Sequence, residues 1–269
     1  MQDDKNKLLP VMDILKNAYL TIYTNIKSLI IFSYLLAVPI YLISQFLTMP
    51  TAETATVSYF TIAAYVLISL LILAITNIYF YRLFTLGNEN VLKITPDKLF
   101  SLSTSTVAYL LALFGILFIA LVTISLIIGV IVSVVNELLG PGRSALTGAA
   151  ANLIILIVML LINMRLQPTF ISIAINEQTL PMKSAYYYTR DNNRELILIG
   201  LFSFIPALFP STVALIFVNN LSLSQNAVVI TDFLLFPLLL LPNIVLLSAG
   251  VQIYNYLVPK NKPHMDIQV

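Results

Sequence analysis

NEQTLPMKSAYYYTRDNNRE, residues 176–195, is the most polar long segment of the chain and lies between two long apolar runs. Whether it is a loop with a task of its own or the wet side of a membrane hairpin decides the fold. The surrounding composition favours the second. Of 269 residues, 59% are hydrophobic and 10% charged, and the mean hydropathy is +0.95. A soluble domain carries roughly 25% charged residues. This chain has too little polar surface to cover a soluble core, so its solvent is a bilayer.

A helix needs about 20 mainly apolar residues to cross about 30 Å of hydrocarbon. Six runs meet that length: 28–47, Tyr59–Phe84, Val107–Val135, Leu153–Ile175, Leu196–Val218 and Val228–Val258. Backbone groups in lipid must be satisfied within each segment, and no ten-residue alternation points to a barrel. The expectation is an all-α polytopic membrane protein with six transmembrane helices, forming a single integral membrane domain over 1–269. The first run is longer than a signal-peptide core and has no small-residue cleavage site directly after it, so it reads as an anchor.

Basic residues set the orientation. Lys5, Lys7, Lys16 and Lys27 precede the first run, Lys93 and Lys98 follow the second, and Lys183, Arg190 and Arg194 lie in the opening stretch. Lys260 and Lys262 follow the sixth run, in a polar C-terminal tail over 259–269, while the opposite connections offer only Arg143. The positive-inside rule then places both termini in the cytoplasm. Tyr19, Tyr23, Tyr186, Tyr187 and Tyr188 fall at the same inner ends, where an amphipathic ring suits the headgroup layer.

Two segments read as amphipathic interfacial helices on that cytoplasmic side. In 8–27, Val11, Leu15, Ala18 and Ile22 share one face and Asp13, Lys16 and Asn17 lean to another; the apolar face is expected in lipid. In 180–194, Pro181 is tolerated in the first turn, and Met182, Ala185, Tyr186 and Thr189 recur at helical spacing. The two segments echo each other: AYLTIYTNIKSLIIFSYLLAVP from Ala18 aligns without gaps to AYYYTRDNNRELILIGLFSFIP from Ala185. A weaker version, TPDKLFSLSTSTVAYLLALF, precedes the third run. The chain thus parses as three parallel helix-plus-hairpin repeats.

Candidate chemistry is sparse. Arg165, in LLINMRLQP, is a charge inside an apolar run; it either snorkels or meets an anionic lipid or substrate. Asp232 and Asn243 are polar groups within the sixth run. Pro206, Pro210, Pro237 and Pro242 each free a backbone carbonyl and bend their helices, which frames either a cavity or plain architecture. Lys183, Arg190, Arg194, Tyr186, Tyr187 and Tyr188 make a headgroup or substrate contact surface. The chain has no cysteine, and its one histidine, His264, sits in the polar tail. No metal-ligand, phosphate-loop, nucleophile or dinucleotide motif is present, so neither metal, cofactor nor enzymatic activity is expected. The partners expected are membrane lipids with anionic headgroups, a membrane protein or a second copy of the chain, and no nucleic acid, because the basic residues are spread over several connections.

Ser184, Thr189, Asn192 and Arg194 in SAYYYTRDNNR match an S-x4-T-x2-N-x-R pattern. With PTFISIAINEQTLPMKSA, residues 168–185, this segment resembles the region before the penultimate span of YciC-like bacterial inner-membrane proteins. The helix-plus-span pattern is more distantly similar to the membrane domain of some glycerophosphodiester phosphodiesterases, whose catalytic barrel this chain lacks. The resemblance implies a multi-pass protein of the bacterial cytoplasmic membrane with no established activity. The reading that follows is an accessory, membrane-organising or envelope-maintenance role involving lipids. The alternative is a transporter for a small or amphiphilic substrate, routed past the fifth and sixth runs.

Overall fold

The computed structural model describes residues 8–48, 59–88, 96–139, 144–175, 180–220 and 225–258. These residues are almost wholly helical. Helix α1 (Val11–Thr24) starts after Pro10, whose fixed φ suits a helix start, and carries Asp13 in its first turn, where a negative charge complements the free N–H groups. It stops at Asn25. The Asn25 N–H donates to Ile22 O at 3.1 Å and its side-chain amide to Thr21 O at 2.8 Å, so two terminal carbonyls are satisfied without continuing the helix. Helix α2 (Ile26–Thr48) departs from this point, and its stretch to Pro39 makes an angle of 73° with α1.

Helix α3 (Tyr59–Leu86) ends in Gly87, at φ 76°, whose N–H donates to Leu83 O at 3.1 Å. This left-handed residue just past a helix end is a conformation only glycine adopts cheaply. Helix α4 (Pro96–Leu139) runs 44 residues without interruption, and α5 (Ser144–Ala174) contains Pro168. The short α6 (Met182–Thr189) passes through a 3-10 turn (Arg190–Asn192) into α7 (Asn193–Asn220), and α8 (Gln225–Leu257) closes the chain.

Helix α8 is the axis of the bundle, with α1, α2, α3, α5 and α7 all packed against it. Its residues 244–251 are buried on every side. One apolar cluster joins Ile78, Phe80 and Leu83 of α3 to Phe170 and Ile171 of α5 and to Val245, Val251 and Tyr254 of α8. A second joins Ile14, Leu15 and Ala18 of α1 to Met164 of α5, Leu196 and Ile199 of α7, and Ala249 and Ile253 of α8. Gly250 lets α5 close on α8: a Cβ there would strike the buried Gln167 side chain.

The expectation of six transmembrane helices is corrected. Among the described residues three helices are long and apolar enough to cross a membrane, Leu153–Ala174, Met182–Pro210 and Phe233–Leu257; the bent pair Val11–Thr24 with Ile26–Pro39 raises this to four if it forms one span. The second and third runs do not add to the count. In α3 the described inner half is core, with Ala74, Ile78, Phe80 and Leu83 buried alongside Thr76, Asn77 and Arg82. In α4 the apolar segment Phe118–Ile127 falls short of a span. For α3 the apolar run marks exclusion from water, which packing inside protein satisfies as well as lipid does; the described apolar side chains of α4, such as Phe118, Ile119 and Leu126, are instead exposed.

The three-repeat parse is corrected too. Unit one breaks at Asn25 with its 73° bend, whereas Met182–Pro210 passes the matching Asn192, in its 3-10 turn, without a comparable bend. The weak third version has no break at all, because α4 is continuous from Pro96. At 1.5 Å per residue α4 is about 66 Å long, twice the hydrocarbon thickness, so part of it must lie outside the apolar layer.

Candidate functional site

The structure gathers the basic and aromatic segments at one end of the bundle. Before α1, the Leu9 N–H donates to Asn192 Oδ1 at 2.9 Å, and the Tyr256 hydroxyl donates to Leu8 O at 3.3 Å. The start of α1, the α6–α7 junction and the end of α8 therefore meet. At the same end, Leu180 N–H donates to Ser172 Oγ at 2.9 Å, which seats the entry to α6 on the last turn of α5. Arg82 of α3 donates through Nη1 to Ala174 O at 3.1 Å, a cation placed on the negative end of α5.

Arg165 is only 7% exposed. Its Nη2 donates to Asn193 Oδ1 and, at 3.3 Å, to Arg190 O, and its guanidinium carbon lies 4.2 Å from the Tyr186 ring centroid. It fastens α5 to the α6–α7 junction and is roofed by Tyr186. In this geometry the guanidinium is engaged by protein groups at the α6–α7 junction.

The remaining predicted contact residues divide by helical face. Ala185, Thr189, Asn192, Leu196 and Ile199 are buried on the inward face of α6–α7. On the opposite face Lys183, Tyr187, Arg190 and Arg194 recur at i, i+4, i+7 and i+11, and all four are exposed. Arg190 stacks on Tyr187, 5.0 Å from the ring centroid, and is 3.4 Å from Asp191 in an ion pair whose side chains are both 55% exposed. Such an exposed pair is worth under about 1 kcal/mol, so Arg190 is available to a competing anion. Tyr188 is half-buried and packs against the core.

The four prolines of α7 and α8 differ in how far they are packed. Pro206 is exposed, Pro210 and Pro237 are half-buried, and Pro242 is buried. Pro206 has no N–H for Phe202 O, and the Tyr19 hydroxyl of α1 donates to that carbonyl at 3.1 Å. Tyr34 of α2 donates to Leu234 O at 3.0 Å, in the turn preceding Pro237. Asn243 is half-buried, and the side chain of Asp232 lies outside the described residues, as does the tail 259–269. Sequence reasoning passed over Arg82, Asn192, Tyr19 and Tyr34 as binding groups within the fold. The echo and the S-x4-T-x2-N-x-R pattern marked Asn192, and Tyr19 was marked as an interfacial tyrosine, but neither was given a bonding role; Asn192 and its echo partner Asn25 both satisfy a helix junction.

The helices and this one-ended collar define a membrane-associated, largely helical protein. Beyond that class, no family model, curated protein or solved structure matches the chain.

Proposed function

We propose that the chain is a non-enzymatic organising or accessory protein of the bacterial cytoplasmic membrane that engages anionic lipid headgroups through its basic end, which faces the cytoplasm. The observation that supports this best is the exposed stripe of Lys183, Tyr187, Arg190 and Arg194, opposite the buried face of the same helix. Cations beside a membrane attract anionic lipids by about 1 kcal/mol each, and a tyrosine in the same row suits the headgroup layer. The proposal includes kinship with YciC-like membrane proteins, which rests on Ser184, Thr189, Asn192 and Arg194. Transport past α7 and α8 is not favoured, because the arginine it needs is held by Asn193 and Arg190 O beneath Tyr186.

The test is reconstitution in mixed-lipid nanodiscs followed by native mass spectrometry of retained lipids. The wild-type chain should retain anionic over zwitterionic lipids. Replacing Lys183, Arg190 and Arg194 together with Gln should remove about 3 kcal/mol, roughly a hundredfold in preference. A wild-type protein without any preference for anionic lipid would sink the reading.

A further inference from the structure

The face of α1 that the sequence assigns to lipid is spent on protein. Ile14, Leu15, Ala18 and Ile22 are buried in the clusters shared with α5, α7 and α8, and Val11 packs at their edge. A second apolar row remains. Met12 is 75% exposed and Tyr23 74% exposed, and with Lys16, Tyr19 and Leu20 they occupy i, i+11, i+4, i+7 and i+8 on one flank. The third flank is polar: Asp13, Asn17 and Thr24 are exposed, with Thr21 half-buried. Helix α1 is therefore three-sided, with one side on protein, one apolar and one polar.

We infer that the Met12–Tyr19–Leu20–Tyr23 flank of α1 enters the glycerol and upper acyl layer of the bilayer, with Lys16 reaching back to the phosphates. Two features commit this flank to lipid. It is continuous with the exposed apolar side of α2, where Ile26, Ile30, Ile31, Leu35 and Val38 follow directly on Tyr23. The 73° bend turns α1 across the line of α2, so if α2 runs into the bilayer α1 lies near its surface. An amphipathic helix in that position sinks about 5–10 Å into the headgroup–acyl boundary, and a lysine on its flank keeps its ammonium in water while its stem stays apolar. The inference rests on the membrane part of the proposed function and is independent of headgroup selectivity.

The chain contains no tryptophan, so a single introduced indole, excited on the red side of tyrosine absorption, is the only indole that emits. Met12→Trp and Tyr23→Trp report the apolar flank, and Asn17→Trp reports the polar one. None of the three side chains belongs to the buried clusters, and a monodisperse elution profile confirms folding. Each variant is reconstituted in purely zwitterionic vesicles carrying brominated acyl chains. Quenching several-fold stronger at positions 12 and 23 than at 17 is the expected result. Equal or weaker quenching at 12 and 23 overturns the inference, and cross-linking between copies through position 23 would identify a second chain as the true occupant. Because no anionic lipid is present, loss of headgroup preference in the earlier experiment leaves this outcome untouched.

Discussion

At Arg165 a cation sits inside an apolar run, where Asn193, the Arg190 carbonyl and the Tyr186 ring hold its guanidinium while Nε is buried without a partner among the described residues. Substituting Gln loses the hydrogen bonds to the part-buried Arg190 carbonyl and Asn193 amide oxygen, which costs about 1 kcal/mol. Lysine should not restore the loss, since a point charge cannot reproduce the planar fork. Thermal unfolding in detergent should therefore show both R165Q and R165K below the wild type, with lipid preference retained in the folded fraction. Tyr19 allows a sharper test, because its hydroxyl serves the carbonyl that Pro206 cannot. Tyr19→Phe should cost about 1 kcal/mol in the wild type and markedly less alongside Pro206→Ala, whose new N–H can take over Phe202 O. Additive effects in that double-mutant cycle would refute the pairing. The sequence marked Arg165 as a charge needing water, a lipid or a ligand; a protein partner was not legible. Asn193 lies 28 residues on, across a chain reversal, and no local spacing rule connects them.

Among elements, the close approach of α5 and α8 depends on Gly250 facing Gln167. Gly250→Ala should destabilise the bundle by about 1–3 kcal/mol through overpacking, and Gln167→Ala in the same chain should relieve most of that by clearing the space. A second unfolding measurement on the double variant decides it: no relief would mean that backbone, not Gln167, sets the contact. Gly87 is the opposite case. Nothing lies within 4 Å of a Cβ built there, but its φ of 76° makes Gly87→Ala cost about 1–2 kcal/mol by backbone strain alone. The helices themselves were readable from periodicity and from Pro10 and Pro181 at their starts. Which face met what was not. Ala18 and Ile22 look alike whether they press on α8 or on acyl chains, since both environments exclude water. The same ambiguity inflated the number of spans, because the buried Ile78, Phe80 and Leu83 contribute to hydropathy as lipid-facing residues would.

For the whole molecule, the hydrogen bonds from Leu9 to Asn192 and from Tyr256 to Leu8 tie the start of α1, the α6–α7 junction and the end of α8 to one end of the bundle. Lys16, Lys183, Arg190 and Arg194 follow from that common end, and the positive-inside tendency then acts on all of them together. Charge distribution along the sequence grouped these segments on one side, and the contacts join them physically at one end of the bundle. The chain has no cysteine, so single cysteines can report sidedness directly. With a membrane-impermeant maleimide, Lys16→Cys and Lys183→Cys should both be protected in intact cells and both react in inverted vesicles. Reaction of both lysine positions from outside would invert the orientation while keeping the collar. Opposite behaviour at positions 16 and 183 would break the collar itself, because Leu9 and Asn192 could not then share a hydrogen bond across the membrane.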